Sequence, residues 1–297
     1  MVHLQPITAS PVGFIGLGAM GLPMASRVAR MGRPVVAYDV ALSARARQSP
    51  GLVLANSPHD VATRASTIVL SLPHAQASEV VINELGDAPS CCKLVIDTCT
   101  QDPAQAQVFA ARLERAGTAY CDAPVFGTPD DAAAGTLTVA YSGREEIRGA
   151  VEPVLTAFSR RQLHVGPVGT ASVFKVAQNS LGLVQLVAIA EAFAVVEALG
   201  ADPVKFYEVV KGSGGMADGP FFAKTGRDFA DKQARFGARL RVAMKDIELG
   251  RTVAMRAGAE TNLIAAAAAL FKRAENIGLG EADLTSIGQV LGRKANA

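Results

Sequence analysis

Gly16, Gly18 and Gly21 stand in the spacing G-x-G-x-x-G within Gly13-Phe14-Ile15-Gly16-Leu17-Gly18-Ala19-Met20-Gly21. Gly16 permits a tight turn, Gly18 lets backbone approach a pyrophosphate, and Gly21 lets the following helix pack closely. The first amides of that helix, with those of Leu17, Ala19 and Met20, then face the anion. Such a turn carries meaning only between an apolar strand and a helix, and this sequence supplies both. Asp39 closes the second apolar run, 18 residues beyond Gly21. A carboxylate there accepts hydrogen bonds from the adenosine ribose hydroxyls and repels a 2′-phosphate, which favours NAD over NADP. Arg45 and Arg47 follow closely enough to leave NADP open as a second cofactor.

The elements that must hold this turn alternate along the first half of the chain. Val12–Ile15, Val35–Tyr38, Thr67–Leu72, Leu94–Asp97 and Ala119–Asp122 are short apolar runs rich in β-branched residues. Segments of helical character, such as Leu22–Met31 and Pro103–Ala116, lie between them. The pattern predicts an α/β fold, a doubly wound parallel Rossmann sheet covered on both faces. Two further strands, near Leu137–Tyr141 and Gln162–Val165, are expected to finish that sheet. After Gly166 strand signals become scarce. Thr170 to about Ala198 reads as one helix ended by Gly200, and Pro203–Lys211, Arg241–Ala257 and Thr261–Asn276 read as further helices. The expected division is therefore a dinucleotide-binding domain over 1–168 and an all-helical substrate and oligomerisation domain over 169–297.

Composition narrows the function. A chain of 297 residues with 49% hydrophobic and 19% charged residues suits a globular protein with buried helices. A net charge of +2, no run of Lys and Arg, and no Trp give nucleic-acid binding little support. No secretory signal is expected at Met1–Pro11. Leu181–Leu199 is strongly apolar but carries Gln185, Glu191 and Glu197, so a buried helix is expected rather than a membrane span. Cys91, Cys92, Cys99 and Cys121 lack zinc-site spacing and read as reduced thiols in a cytoplasm. His3, His59 and His164 show no metal spacing, so no metal is expected, and His74 reads as a loop residue.

The string from Gly13 through Gly21 to Leu22-Pro23-Met24-Ala25 resembles the N-terminal signature of the 3-hydroxyisobutyrate dehydrogenase family. These β-hydroxyacid dehydrogenases, 6-phosphogluconate dehydrogenase-like in architecture, include tartronate semialdehyde reductases. Later blocks match in order: Ser71-Leu72-Pro73, Asp97-Thr98-Cys99-Thr100 with Pro103, Asp122-Ala123-Pro124-Val125-Phe126-Gly127, Gly169 through Lys175 to Asn179, and Lys245-Asp246. The resemblance spans essentially the whole chain. It implies that Leu72, Pro73 and Thr100 line the cofactor, that Lys175 is the catalytic residue, and that Lys245 reaches the cofactor from the second domain. It also implies that Gln178 and Asn179, three and four residues on, share the lysine's helix face and fix the lysine and the substrate oxygen. The family usually has Asn where Gln178 stands.

Moving a hydride from an alcohol carbon to nicotinamide requires the hydroxyl proton to leave, and the reverse needs an acid at the carbonyl oxygen. A suitably buried lysine serves both directions. Lys175 sits in Val173-Phe174-Lys175-Val176-Ala177, where a lysine is costly unless used. The loop of residues 126–128 departs from the family pattern. Phe126 replaces the serine that donates to the substrate carboxylate, Thr128 replaces a second glycine, and Cys99 replaces another serine. Phe126, Gly127 and Thr128, with Lys175 and Asn179, are the expected substrate contacts, and a larger or less polar substrate is expected than the usual small hydroxyacid. The implied activity is hydride transfer between NAD(P) and a β-hydroxyacid or its carbonyl product, in a homodimer or homotetramer. Imine reductases share the architecture but usually lack this lysine, and a non-catalytic cofactor-binding protein would not need it.

One prediction follows from Asp39. Replacing it with Ser or Arg shifts the ratio of kcat/KM toward NADP, because the 2′-phosphate no longer meets a carboxylate. A wild type faster with NADP than with NAD would show that Asp39 does not select the cofactor.

Overall fold

The computed structural model describes residues 10–41, 50–87, 91–235 and 237–291. Arg45, Arg47 and His3 lie outside the described residues. The chain divides into two compact units, Met1–Lys175 and Val176–Ala297.

The first unit is built on β1 (Val12–Ile15), β2 (Val35–Tyr38), β3 (Leu52–Leu54), β4 (Thr67–Leu70), β5 (Leu94–Asp97) and β6 (Ala119–Asp122). They form one sheet in the order β3-β2-β1-β4-β5-β6, with every pair parallel. This is the doubly wound order of a dinucleotide-binding fold. One face is covered by α1 (Gly21–Arg30), through Met24, Ala25 and Val28. The other is covered by α2 (Pro58–Arg64), α3 (Ala75–Asp87) and α4 (Pro103–Arg115), through Val61, Ile82, Phe109 and Leu113. Burial on both faces explains why these strands read as continuous apolar runs rather than alternating ones.

The expectation that two later strands finish this sheet is wrong. β7 (Val125–Phe126), β8 (Leu137–Tyr141) and β9 (Ser159–His164) form a separate three-stranded sheet. Between β7 and β8 runs α5 (Pro129–Ala134), and between β8 and β9 runs α6 (Arg148–Leu155). Leu137, Val139 and Tyr141 of β8 turn into the core shared with α1, so β8 packs over the main sheet's core instead of extending its edge. An isolated bridge, Asp122 to Ser142, links the end of β6 to the residue after β8.

One long helix, α7 (Thr170–Ala198), runs from the end of the first unit into the second. The second unit adds α8 (Pro203–Lys211), α9 (Pro220–Asp231), α10 (Leu240–Arg256) and α11 (Asn262–Asn276). α9 escaped the sequence reading because Gly226 interrupts its pattern. The expected enclosure of Leu181–Leu199 is only partial. Leu183, Leu186, Val187 and Ala190 pack against Ile247, Phe271 and Ile287, whereas Leu181 and Val195 are exposed. α7 is long and apolar enough to cross a membrane by length and hydropathy, but this buried stripe belongs to a protein core.

α7 and α10 cross closely at Gly250, where an added Cβ would overlap the Ser180 hydroxyl. Gly250→Ala therefore lowers unfolding free energy by about 1–3 kcal/mol. Gly182→Ala on α7, where a Cβ meets nothing within 4 Å, raises it by about 0.5–1 kcal/mol. Urea denaturation of the two variants measures both effects, and equal effects would contradict the close crossing.

Candidate active site

Because the strands of the main sheet are parallel, their carboxyl ends share one edge, and the expected cofactor residues of the first unit, from Gly16 to Gly21 with Asp39, Leu72, Pro73 and Thr100, sit there. Gly16 follows β1 with φ of 96°, and a Cβ on it would run into the Ser71 carbonyl. At Gly21 a Cβ would overlap the Gly16 carbonyl, so the turn and α1 pack backbone to backbone. Gly18 is exposed and its missing Cβ faces open space. No side chain caps α1 and its first turn holds no acidic residue, so its positive end is available to an anion. These features fit a dinucleotide pyrophosphate.

Asp39, half-buried after β2, does more than await a ribose. Its Oδ2 accepts the Leu17 amide at 2.6 Å and its Oδ1 the Ala41 amide at 2.7 Å. The carboxylate therefore clasps the glycine turn while each oxygen keeps lone-pair capacity for a hydroxyl.

Leu72 and Pro73 follow β4, and Thr100 lies in the loop after β5. The two loops are tied where the Leu72 amide donates to Cys99 Sγ at 3.1 Å. Beneath them, buried Asp97 accepts the Cys99 amide at 3.0 Å, Gln101 Nε2 at 3.0 Å and Tyr120 Oη at 2.9 Å. Burial pushes the Asp97 carboxyl up despite these bonds. It pushes the Cys99 and Cys121 thiols well up, and Cys92 to about 12. These are packed thiols rather than nucleophiles, in keeping with the sequence reading. His74, the residue before α3, accepts the Ala77 amide at 3.1 Å and so caps that helix.

The loop expected to bind substrate begins in β7. The Phe126 ring is half-buried, and Lys175 Nζ stands over it, 4.8 Å from the ring centroid. Sequence reasoning did not foresee this cation–π contact between residues 49 positions apart. Gly127 is exposed with φ of 138°. Thr128 caps α5 in a capping box: its amide donates to Asp131 Oδ2 at 2.8 Å, and the Asp131 amide donates to its Oγ1 at 3.3 Å. The Thr128 bonds hold the half-buried Asp131 carboxyl below its ordinary range. Thr128-Pro129-Asp130-Asp131 is a cap signature that sequence inspection alone could have found.

Lys175 is half-buried in the second turn of α7. Gln178 is exposed, whereas Asn179 is half-buried and donates Nδ2 to Asp246 Oδ2 at 2.8 Å. Helical spacing puts Asn179 closer than Gln178 to the Lys175 azimuth. Asp246, which also stands 3.4 Å from Lys245 Nζ, accepts but does not donate, so it fixes which way the Asn179 amide faces. Lys245 also lines a cavity of about 780 Å³ between α10 and α11, with Arg241, Glu248 and Lys272.

Known proteins share this architecture. A family model described as the NAD binding domain of 6-phosphogluconate dehydrogenase matches residues 11–166. A second, the NAD-binding of NADP-dependent 3-hydroxyisobutyrate dehydrogenase, matches residues 169–291. The chain is 30% identical over 284 residues to 2-(hydroxymethyl)glutarate dehydrogenase of Eubacterium barkeri, covering 93% of each. It is 35% identical over 210 residues to the human mitochondrial 3-hydroxyisobutyrate dehydrogenase, a match covering 69% of this chain and 62% of that one. A crystal structure of 3-hydroxyisobutyrate dehydrogenase from Salmonella typhimurium superposes with a TM-score of 0.82 at 26% identity, covering 94% of this chain and 99% of the other.

Proposed function

The chain belongs to the 3-hydroxyisobutyrate dehydrogenase family of β-hydroxyacid dehydrogenases, and on that premise we propose that it oxidises a β-hydroxyacid, or reduces the carbonyl product, with Lys175 as the acid–base group. The observation that carries the reading is the place of Lys175. It stands in the first two turns of α7, whose start is bonded to the carboxyl end of β6, and the glycine turn opens at the same edge of the sheet. In open parallel sheets that edge is where dinucleotides bind.

In the oxidative direction the carbinol C–H bond breaks with its electron pair and the O–H proton passes to the Lys175 amine, leaving a carbonyl. NAD, when bound, supplies the hydride acceptor in its nicotinamide ring. In the reductive direction the Lys175 ammonium returns the proton to the alkoxide oxygen. Asn179, oriented by Asp246, holds the reacting oxygen, and Asp39 selects NAD over NADP. Gln178 lies on the exposed flank and contributes less than Asn179. Leu72, Pro73, Thr100 and Lys245 complete the cofactor contacts. The same proposal includes a cytoplasmic setting, for which the four free thiols speak, and a homodimer or homotetramer that would cover exposed Phe174, Leu181 and Val195.

Phe126 bears on the substrate. A phenyl ring cannot donate to a carboxylate, and here Lys175 Nζ stands over one face of it. We therefore assign this enzyme a β-hydroxyacid with a larger or less polar substituent than the family's small substrates carry.

Two outcomes test these assignments. Lys175→Ala leaves NAD affinity nearly intact and lowers kcat by about 10²–10⁴, the usual contribution of a positioned acid or base; a variant retaining most of its kcat rules the role out. Phe126→Ser moves preference toward 3-hydroxyisobutyrate and tartronate semialdehyde, which the wild type turns over weakly. The missing donor is worth about 1–3 kcal/mol. A wild-type kcat/KM on 3-hydroxyisobutyrate of about 10⁴ M⁻¹s⁻¹ or more contradicts the substrate assignment.

A further inference from the structure

The residue before α7 is Gly169, with φ of 97°, and it has no side chain with which to cap the helix. The cap comes from β6, forty-seven residues earlier. Asp122, 1% exposed, accepts the Gly169 amide on Oδ1 at 3.0 Å, and on Oδ2 the Ser172 amide at 3.0 Å and the Ser172 hydroxyl at 2.9 Å. Ser142, fully buried, donates its hydroxyl to Asp122 Oδ1 and accepts the Ala171 amide at 3.1 Å. The amides of Gly169, Ala171 and Ser172 thus all end on this pair, and the positive end of the helix faces the carboxylate.

Two reactive-site side chains hang from that anchor. Lys175 follows Ser172 by three residues, less than one helical turn. Phe126 follows Asp122 by four residues along the chain, and its ring lies 4.8 Å from Lys175 Nζ. The bonds of one carboxylate therefore set both the height and the rotation of α7 relative to the strand that leads into the substrate loop.

We propose that Asp122 is a positioning residue for the reaction, placing Lys175 Nζ opposite the Phe126–Thr128 loop. The proposal rests on the reading of Lys175 as the acid–base group. Asn at this position keeps one acceptor oxygen but turns an NH₂ toward donors, so the helix start must shift. Ser172→Ala removes one of the four bonds and leaves the rest.

The test measures kcat, KM and NAD affinity for Asp122→Asn and Ser172→Ala, each made in the wild type and in Lys175→Ala. A shift of about 1 Å at the reacting atoms costs up to about 10²-fold in rate. The expected result is a kcat lowered about 10–100-fold by Asp122→Asn and about 3–10-fold by Ser172→Ala, with NAD affinity within about 2-fold of wild type. In the Lys175→Ala background neither substitution slows the residual rate further, because the group they position is gone. A loss of the same factor in both backgrounds overturns the proposal alone, since the effect would then bypass the lysine. A Lys175→Ala enzyme with wild-type kcat overturns the lysine reading, and this proposal with it. Should Asp122→Asn fail to fold, the Ser172→Ala pair decides by the same comparison.

Discussion

The Asp122 carboxylate, buried at the end of β6 and bonded to the first turn of α7, ties the helix that carries Lys175 to the sheet. Hydrogen bonds to a charged group contribute about 1.5–3 kcal/mol each, and Asp122 accepts four of them. Removing any donor leaves part of a buried charge unanswered, so the first turn of α7 has one favourable place. All six strands of the main sheet run the same way. The glycine turn, Asp39, the Leu72 and Thr100 loops and Asp122 consequently open on a single edge. Parallel direction gathers these residues at one edge, and the Asp122 bonds fix the start of α7 beside them.

The loops on that edge are braced from below and from the side. Asp39 clasps the Leu17 amide, Cys99 takes the Leu72 amide, and Asp97 gathers Gln101 and Tyr120 beneath the loop after β5. Asp97 has no cationic partner in this network, and burial raises its pKa accordingly. Rigid loops of this kind lower the ordering cost of binding a long, flexible dinucleotide.

Local patterns were legible in the sequence, and long-range partners were not. Five of the main sheet's strands could be read because buried parallel strands are continuous apolar runs, and α7 because its helix formers run from Thr170 to Ala198. β3, three residues long at the sheet's edge, left too short a run to read. The sheet to which β8 and β9 belong was misread because an apolar run reveals burial but not its partner. The spacing of Thr128 to Asp131 already spelled a helix cap, which the reading of the substrate loop passed over. The Phe126–Lys175 contact and the Asp122 cap join residues 47 to 50 positions apart, beyond any local rule. A helix starting at Thr170-Ala171-Ser172 behind Gly169, with no acidic residue in its first turn, was the one available hint that a carboxylate must come from elsewhere.

The central claim is that a primary amine at position 175 carries the proton. Chemical rescue of Lys175→Ala tests it most directly, by measuring turnover with small primary amines of graded basicity added to the medium. The account predicts partial recovery of rate that depends systematically on amine pKa, as expected when proton transfer contributes to the barrier, with NAD affinity unchanged. An NAD-binding Lys175→Ala enzyme that no amine restores, or that tertiary amines and inert salts restore equally well, would contradict it.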